Sequence, residues 1–153
     1  MMEQVLPPAV LALFALAAAW SDVRQRRISN LLSLACALAG LAIALWLGGL
    51  AGLGWHAAHM VVALVIGMVL FAIKVVGGGD AKFYAAVAAF FPLQQGLALG
   101  ATIAILGGVL LVVFIIWRRV LRRGTQAKGN FAKLPYGVAI GAGAVALSLV
   151  PFA

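Results

Sequence analysis

Val75-Val76-Gly77-Gly78-Gly79-Asp80-Ala81-Lys82 separates two long apolar runs with three glycines and an acid. The whole sequence holds three acids, Glu3, Asp22 and Asp80. An ionised carboxylate in or beside a bilayer is costly, which marks it as a candidate functional group. The glycines permit a sharp turn and the close approach of another backbone. Asp22, in Trp20-Ser21-Asp22-Val23-Arg24, also stands at the end of an apolar run. What the chain can do depends on whether these two carboxylates meet.

The 153 residues are 66% hydrophobic and 9% charged, against about 45–50% apolar in a soluble domain. Several runs lack charge over the roughly 20 residues that a bilayer-crossing helix needs. The expected fold is all-α: one integral membrane domain over residues 1–153, a bundle of about six transmembrane helices with the amino terminus outside. Hydrocarbon offers no water, so the backbone must satisfy itself within helices. The alternation of a transmembrane barrel is missing. The net charge of +8 comes from eleven Lys and Arg, and all of them flank apolar runs. That is the pattern of cytoplasmic loops. It argues for membrane lipid as a partner and against nucleic acid. Cys36 is the one cysteine and lies inside an apolar run, where it acts as a small hydrophobe.

Taken in order, Pro7 and Pro8 suit the first turn of a helix, expected to run to about Trp20. A cleaved signal peptide is disfavoured, because no basic residue precedes this run and three arginines follow it. Residues 21–30 are therefore placed in the cytoplasm. A second helix over about 31–47 returns outward, 48–54 forms a glycine-rich outer loop, and a third helix over about 57–76 comes back in. Lys74 is long enough to snorkel to the inner face. A fourth helix begins after Asp80 and ends near Pro92, with Gln94-Gln95 as an outer turn. A fifth covers about 96–117 and a sixth about 135–150. Between these last two, Arg118 to Lys133 carries six basic residues and no acid. Gly96 and Gly100, like Gly137 and Gly141, are four apart and share a helix face that permits close packing. The fourth helix is short, roughly 17 Å at 1.5 Å per residue, little more than half of the ~30 Å core. Either it is tilted or interfacial, or Gly77 to Gly79 form an unwound segment dipping into the cytoplasmic leaflet, with Asp80 recessed in a wet cavity.

In this topology Asp22 and Asp80 reach the same face of one small bundle. Within several Å of each other they cannot both ionise easily, and one pKa rises. Such a pair titrates as a unit, one acid and one base. One carboxylate then activates a water while the other protonates or polarises a peptide carbonyl. Blander readings stand beside this one. Asp80 suits an N-cap, and Asp22 suits a surface pairing with Arg24, Arg26 or Arg27, an arrangement worth little. Capping does not account for Asp22, since an acid near a helix C-terminus opposes the dipole.

Gly77-Gly78-Gly79-Asp80 fits the GxGD signature of membrane aspartic proteases. Ser21-Asp22-Val23-Arg24-Gln25-Arg26-Arg27-Ile28-Ser29-Asn30 resembles the first-aspartate segment of bacterial prepilin peptidases, where an acid precedes an Ile-Pro-Asn element. Lys133-Leu134-Pro135-Tyr136-Gly137 resembles their Pro-aromatic-Gly element opening the last helix. The resemblance covers essentially the whole chain. It implies an aspartic endopeptidase of the bacterial inner membrane that removes a prepilin leader on the cytoplasmic side, after a glycine and before an apolar pilin helix. The implied catalytic residues are Asp22 and Asp80. Gly77, Gly79, Asn30, Lys82, Pro135, Tyr136 and Gly137 are implied to bind substrate or shape the site. Ser29 stands where the family has proline, which leaves the second helix capped by Ser29 or Asn30. The amino-terminal extension with paired CxxC motifs of the long, N-methylating enzymes is missing. The expectation is therefore a peptidase without methylation, similar to the short enzymes of Flp-type (tight-adherence) pilus systems.

Basic residues near the site either hold an acidic residue of the pilin or simply set topology and bind anionic lipid. His56 and His59 have metal-pair spacing but fall on the outer side, far from both aspartates, and read as interfacial histidines. A two-carboxylate mechanism requires no metal or cofactor. The competing readings are a small ion-coupled transporter, since broken helices with an acid also mark ion sites, and a non-catalytic membrane assembly subunit.

Overall fold

A computed structural model describes residues 2–25, 27–121 and 136–150. The elements are α1 (Met2–Gln25), α2 (Asn30–Ala72), α3 (Gly78–Ala88), a 3-10 turn (Leu93–Gln95), α4 (Gly96–Leu121) and α5 (Tyr136–Ser148). Helices account for every regular element among the described residues. The segments Val5–Gln25, Asn30–Ala72 and Leu93–Ile116 are long and apolar enough to cross a membrane.

α2 is two helices joined at a single residue. Gly49 has φ 59 and ψ −155, a conformation open to glycine and strained for other residues. A Cβ at Gly52 would stand 2.9 Å from the Ala44 carbonyl oxygen, eight residues back, so the chain reverses here. The expected loop over 48–54 is thus one left-handed glycine plus a close approach that Gly52 permits. The first arm, 30–48, runs beside α3 in the same direction: Asn30 pairs with Lys82 and Gly40 packs on Ala89 and Phe90. The second arm, 50–72, runs against α3: His56 meets Ala89 and Gly67 meets Ala81. Each arm, at about 1.5 Å per residue, reaches roughly the thickness of the ~30 Å hydrocarbon core. The expected start of this second helix is confirmed in detail. Ser29 is the N-cap, and its side chain accepts from the Leu32 N–H.

α5 is the spine of the other half. It packs against both α1 and α4. Gly141 sits where a Cβ would meet Ala15, and Gly143 where one would meet Ile103. α1 and α4 both run antiparallel to α5. Together with the two arms of α2 and with α3, they give six segments that alternate in direction.

Three boundaries differ from the sequence expectation. α1 continues past Trp20 to Gln25, so Asp22 lies within its last turn and not after it. No helix breaker occurs in 21–25, and Arg24 stacks over the Trp20 ring at 4.2 Å, a cation–π contact that supports this turn. Pro7 and Pro8 lie inside α1, about one turn from its start. The unwound segment before Asp80 is 73–77, because Gly78 and Gly79 already belong to α3.

That segment opens with a Schellman cap. The Lys74 N–H donates to the Phe71 carbonyl and the Val75 N–H to the Leu70 carbonyl. Lys74 occupies the position where glycine is usual, at φ 62. Lys74 is therefore part of the turn that frees Gly77, one position beyond the C-cap of the helix.

α3 has the short length expected and lies outside the long apolar helices. Its far end stops within the bundle, where unpaired carbonyls are costly. Two histidines supply the donors: His56 Nδ1 bonds the Ala89 carbonyl at 3.0 Å and His59 Nδ1 bonds the Phe91 carbonyl at 2.9 Å. His59 is buried. Both histidines thus cap the end of α3, a role the sequence did not suggest, and no third metal ligand joins them among the described residues.

Candidate active site

The site forms where the last turn of α1, the 27–29 connection, the first turn of α3 and the first turn of α5 converge. Ser21 Oγ donates to the Arg27 carbonyl at 2.7 Å and closes the connection. Ile28, buried, is wedged between α3 and α5. A Cβ at Gly79 would lie 3.6 Å from the Ile28 backbone, and one at Gly137 would lie 2.9 Å from Ile28 Cδ1.

Around this wedge is a polar cavity of about 330 Å³. Asp22 and Arg27 line it from one side, and Gly77, Gly78, Gly79 and Asp80 from the other, with Ile28 and Asn30 between. The two carboxylates, 58 positions apart in sequence, therefore share one solvent space.

Each carboxylate has its own setting. Gly77 is the N-cap of α3 and Asp80 its third residue. The Asp80 side chain turns back to the Gly77 N–H, as the acid of a capping box does. The capping reading of Asp80 is thus partly right, but the carboxylate still faces the cavity. Burial, and then the negative charge of Asp22, push the Asp80 carboxyl up to about 6, while the Gly77 hydrogen bond opposes the rise. Asp22 accepts from the Gly137 N–H at 2.9 Å through Oδ2. That N–H belongs to the first turn of α5, where donors lack intrahelical partners and the dipole favours negative charge. The α5 terminus thus offsets the unfavourable dipole that Asp22 meets at the end of its own helix.

The remaining site residues divide. A Cβ at Gly77 would sit 2.7 Å from Asp80 Oδ2 and could be admitted only if that carboxylate moved. Gly79 is open by comparison and lines the cavity. Asn30 lines it and accepts from Lys82 Nζ at 3.0 Å. Lys82, exposed, is not among the cavity's lining residues and meets it only through this bond to Asn30. Tyr136 lines an adjoining groove with Asp80. Pro135 and the basic loop 122–133 lie outside the described residues.

The Type IV leader peptidase family matches residues 9–117, well over half of the sequence. The chain belongs to the Type IV leader peptidase family. No curated protein and no solved structure matches it. For this leader peptidase family member, the matched region contains both aspartates and the three glycines. It ends before Tyr136 and Gly137, yet the fold brings Gly137 to Asp22 and sets Tyr136 beside Asp80 in the adjoining groove.

Sequence reading missed Arg27 and Ile28 at the site. Both lie inside the segment quoted for the first aspartate, but nothing in their spacing distinguishes a cavity-lining residue from a turn residue. Tyr84, which faces the adjoining groove from α3, gave no signal at all.

Proposed function

We propose that this family member is a membrane aspartic endopeptidase that removes the leader of Flp-type prepilins, after a glycine, at the cytoplasmic face of the bacterial inner membrane. The observation that carries the proposal is the shared cavity. Two of the three acids in the sequence line it, and the charge of one raises the titration of the other. The settings support the following roles. Asp22, beside an α5 N–H, carries the negative charge and takes a proton from a cavity water. Asp80, whose proton affinity is raised by burial and by the charge of Asp22, in its protonated form donates to the carbonyl oxygen of the scissile bond. The resulting hydroxide adds to the carbonyl carbon. Collapse returns one hydroxyl proton of the tetrahedral intermediate to Asp80 and expels the amine, which takes up the proton that Asp22 drew from the water, so the pair ends as it began. Neither step draws on a metal or cofactor.

The six alternating segments and the one-sided Lys and Arg support six passes with the amino terminus outside, and so a cavity open to the cytoplasm. The basic loop then faces anionic lipid, and no nucleic acid is involved. The test is co-expression with a prepilin precursor. Asp22→Asn and Asp80→Asn should each abolish the size shift on a gel while still inserting in the membrane. Substantial processing by either variant overturns the two-aspartate mechanism.

A further inference from the structure

Besides the polar cavity, Asp80 lines a second space, a groove of about 450 Å³, and among the described residues it is the one common to both. The groove lies between the second arm of α2 and α4, with α3 and α5 as its floor. Ile66 and Leu70 form one wall, and Gly100, Ala104, Gly107 and Gly108 the other. α4 packs on α5, and among the described residues no comparable packing joins it to α2. The groove therefore opens sideways between two helices that are long and apolar enough to lie in a bilayer.

The geometry points to the occupant. We propose that this groove seats the apolar helical segment of the substrate that adjoins the scissile bond, entering laterally from the bilayer and presenting that bond to Asp80. The proposal rests on the peptidase reading above. A ligand reaching the groove from the hydrocarbon must be apolar and must satisfy its own backbone, which makes a peptide ligand helical. The small residues at 100, 104, 107 and 108 recur on one face of α4, which lets a second helix approach closely. A Cβ at Gly108 would find nothing within 4 Å, so this face is open. From Gly100 to Leu111 the groove runs about 16 Å along α4, room for roughly three turns of helix. A lipid chain fits the apolar walls but would leave the carboxyl at the end of the groove facing hydrocarbon, at a desolvation cost. A peptide supplies amide groups there.

The test uses the full chain in proteoliposomes. A benzophenone amino acid replaces Ala104 in the groove or, as control, exposed Leu38 on the first arm of α2. Both variants carry Asp22→Asn, which leaves the groove lining untouched. Irradiation with a prepilin precursor should give a precursor adduct from position 104 and none from 38. Adducts only to lipid, only to a second copy, or equally from both positions overturn the proposal. Separately, Gly108→Leu should lower kcat/KM for the precursor at least tenfold more than for a short soluble peptide spanning the cut. Equal loss on both substrates, or no loss on either, also counts against it. If the unmutated protein cleaves neither substrate, the peptidase reading has failed, and the adduct pattern still reports whether the groove takes an apolar helix.

Discussion

Replacing Gly77 by alanine separates the backbone from the chemistry. Gly77 has φ −74 and ψ 149, extended geometry that any residue adopts. Alanine therefore strains nothing locally, and by restricting the unfolded chain it adds about 0.4–1 kcal/mol of stability. Its Cβ, however, would lie 2.7 Å from Asp80 Oδ2, whereas ordinary contact begins near 3.4 Å. The carboxylate must retreat by about 0.7 Å or rotate away, and its bond to the Gly77 N–H goes with it. Catalytic groups tolerate about 0.5 Å of displacement, and 1 Å costs on the order of 10²-fold. The expected loss in kcat/KM is thus about a hundredfold, roughly 2.7 kcal/mol in the barrier, at unchanged membrane accumulation. Gly78→Ala meets only the Phe71 ring at 3.3 Å, and Gly79→Ala meets Ile28 at 3.6 Å. Both should lose far less, with Gly79→Ala the milder on steric grounds. The family signature alone leads to a different order, in which 77 and 79 are both intolerant and 78 is free. The assay is the time course of leader removal in proteoliposomes, normalised to protein present. Activity in Gly77→Ala within threefold of the unmutated protein, at normal accumulation, refutes the reasoning.

The Asp80 carboxyl, raised to about 6, holds its proton below that pH and loses it above. The kcat/KM profile of the free enzyme should therefore fall as pH rises through about 6. Asp22→Asn removes a like charge and so should lower the Asp80 titration, with burial still holding it above 3.8. Infrared titration of the protonated carboxyl band reads this, and an unshifted band refutes the coupling. Lys74→Gly should stabilise the protein by about 1 kcal/mol, since it relieves a left-handed residue. Lys74→Ala should not, and equal melting temperatures for all three proteins remove the strain argument. Reporter fusions after Asn30 and Gly129 should read cytoplasmic and one after Gly52 external. A swap between these classes overturns the shared-face topology.

Much of the site was legible because charge is scarce in this sequence. With three acids in 153 residues, each one draws attention, and the one-sided basic residues place two of them at one end. The helix ends were less legible. Apolar content marks where a bilayer ends but not where hydrogen bonding ends, so α1 runs through Asp22 to Gln25. Glycine clusters read as loops, yet one left-handed residue at Gly49 is enough to reverse α2. Tertiary partners were beyond reach. Nothing local to Asp22 announces a donor 115 positions away. The polar side chains of His56 and His59 find use as caps only because α3 stops short inside the bundle.

The bond between Asp22 and the Gly137 N–H has a consequence in time. Synthesis proceeds from the amino terminus, and earlier segments settle before later ones exist. Both aspartates, and the cavity wall between them, emerge long before Tyr136–Ser148. Until α5 is laid against α1, Asp22 has no helix N-terminus to hold its charge, and Ile28 lacks one of the two surfaces it separates. A growing chain thus carries both acids without an assembled centre. Its own apolar segments, and those of neighbours crowding the same insertion machinery, pass by before the protease is armed.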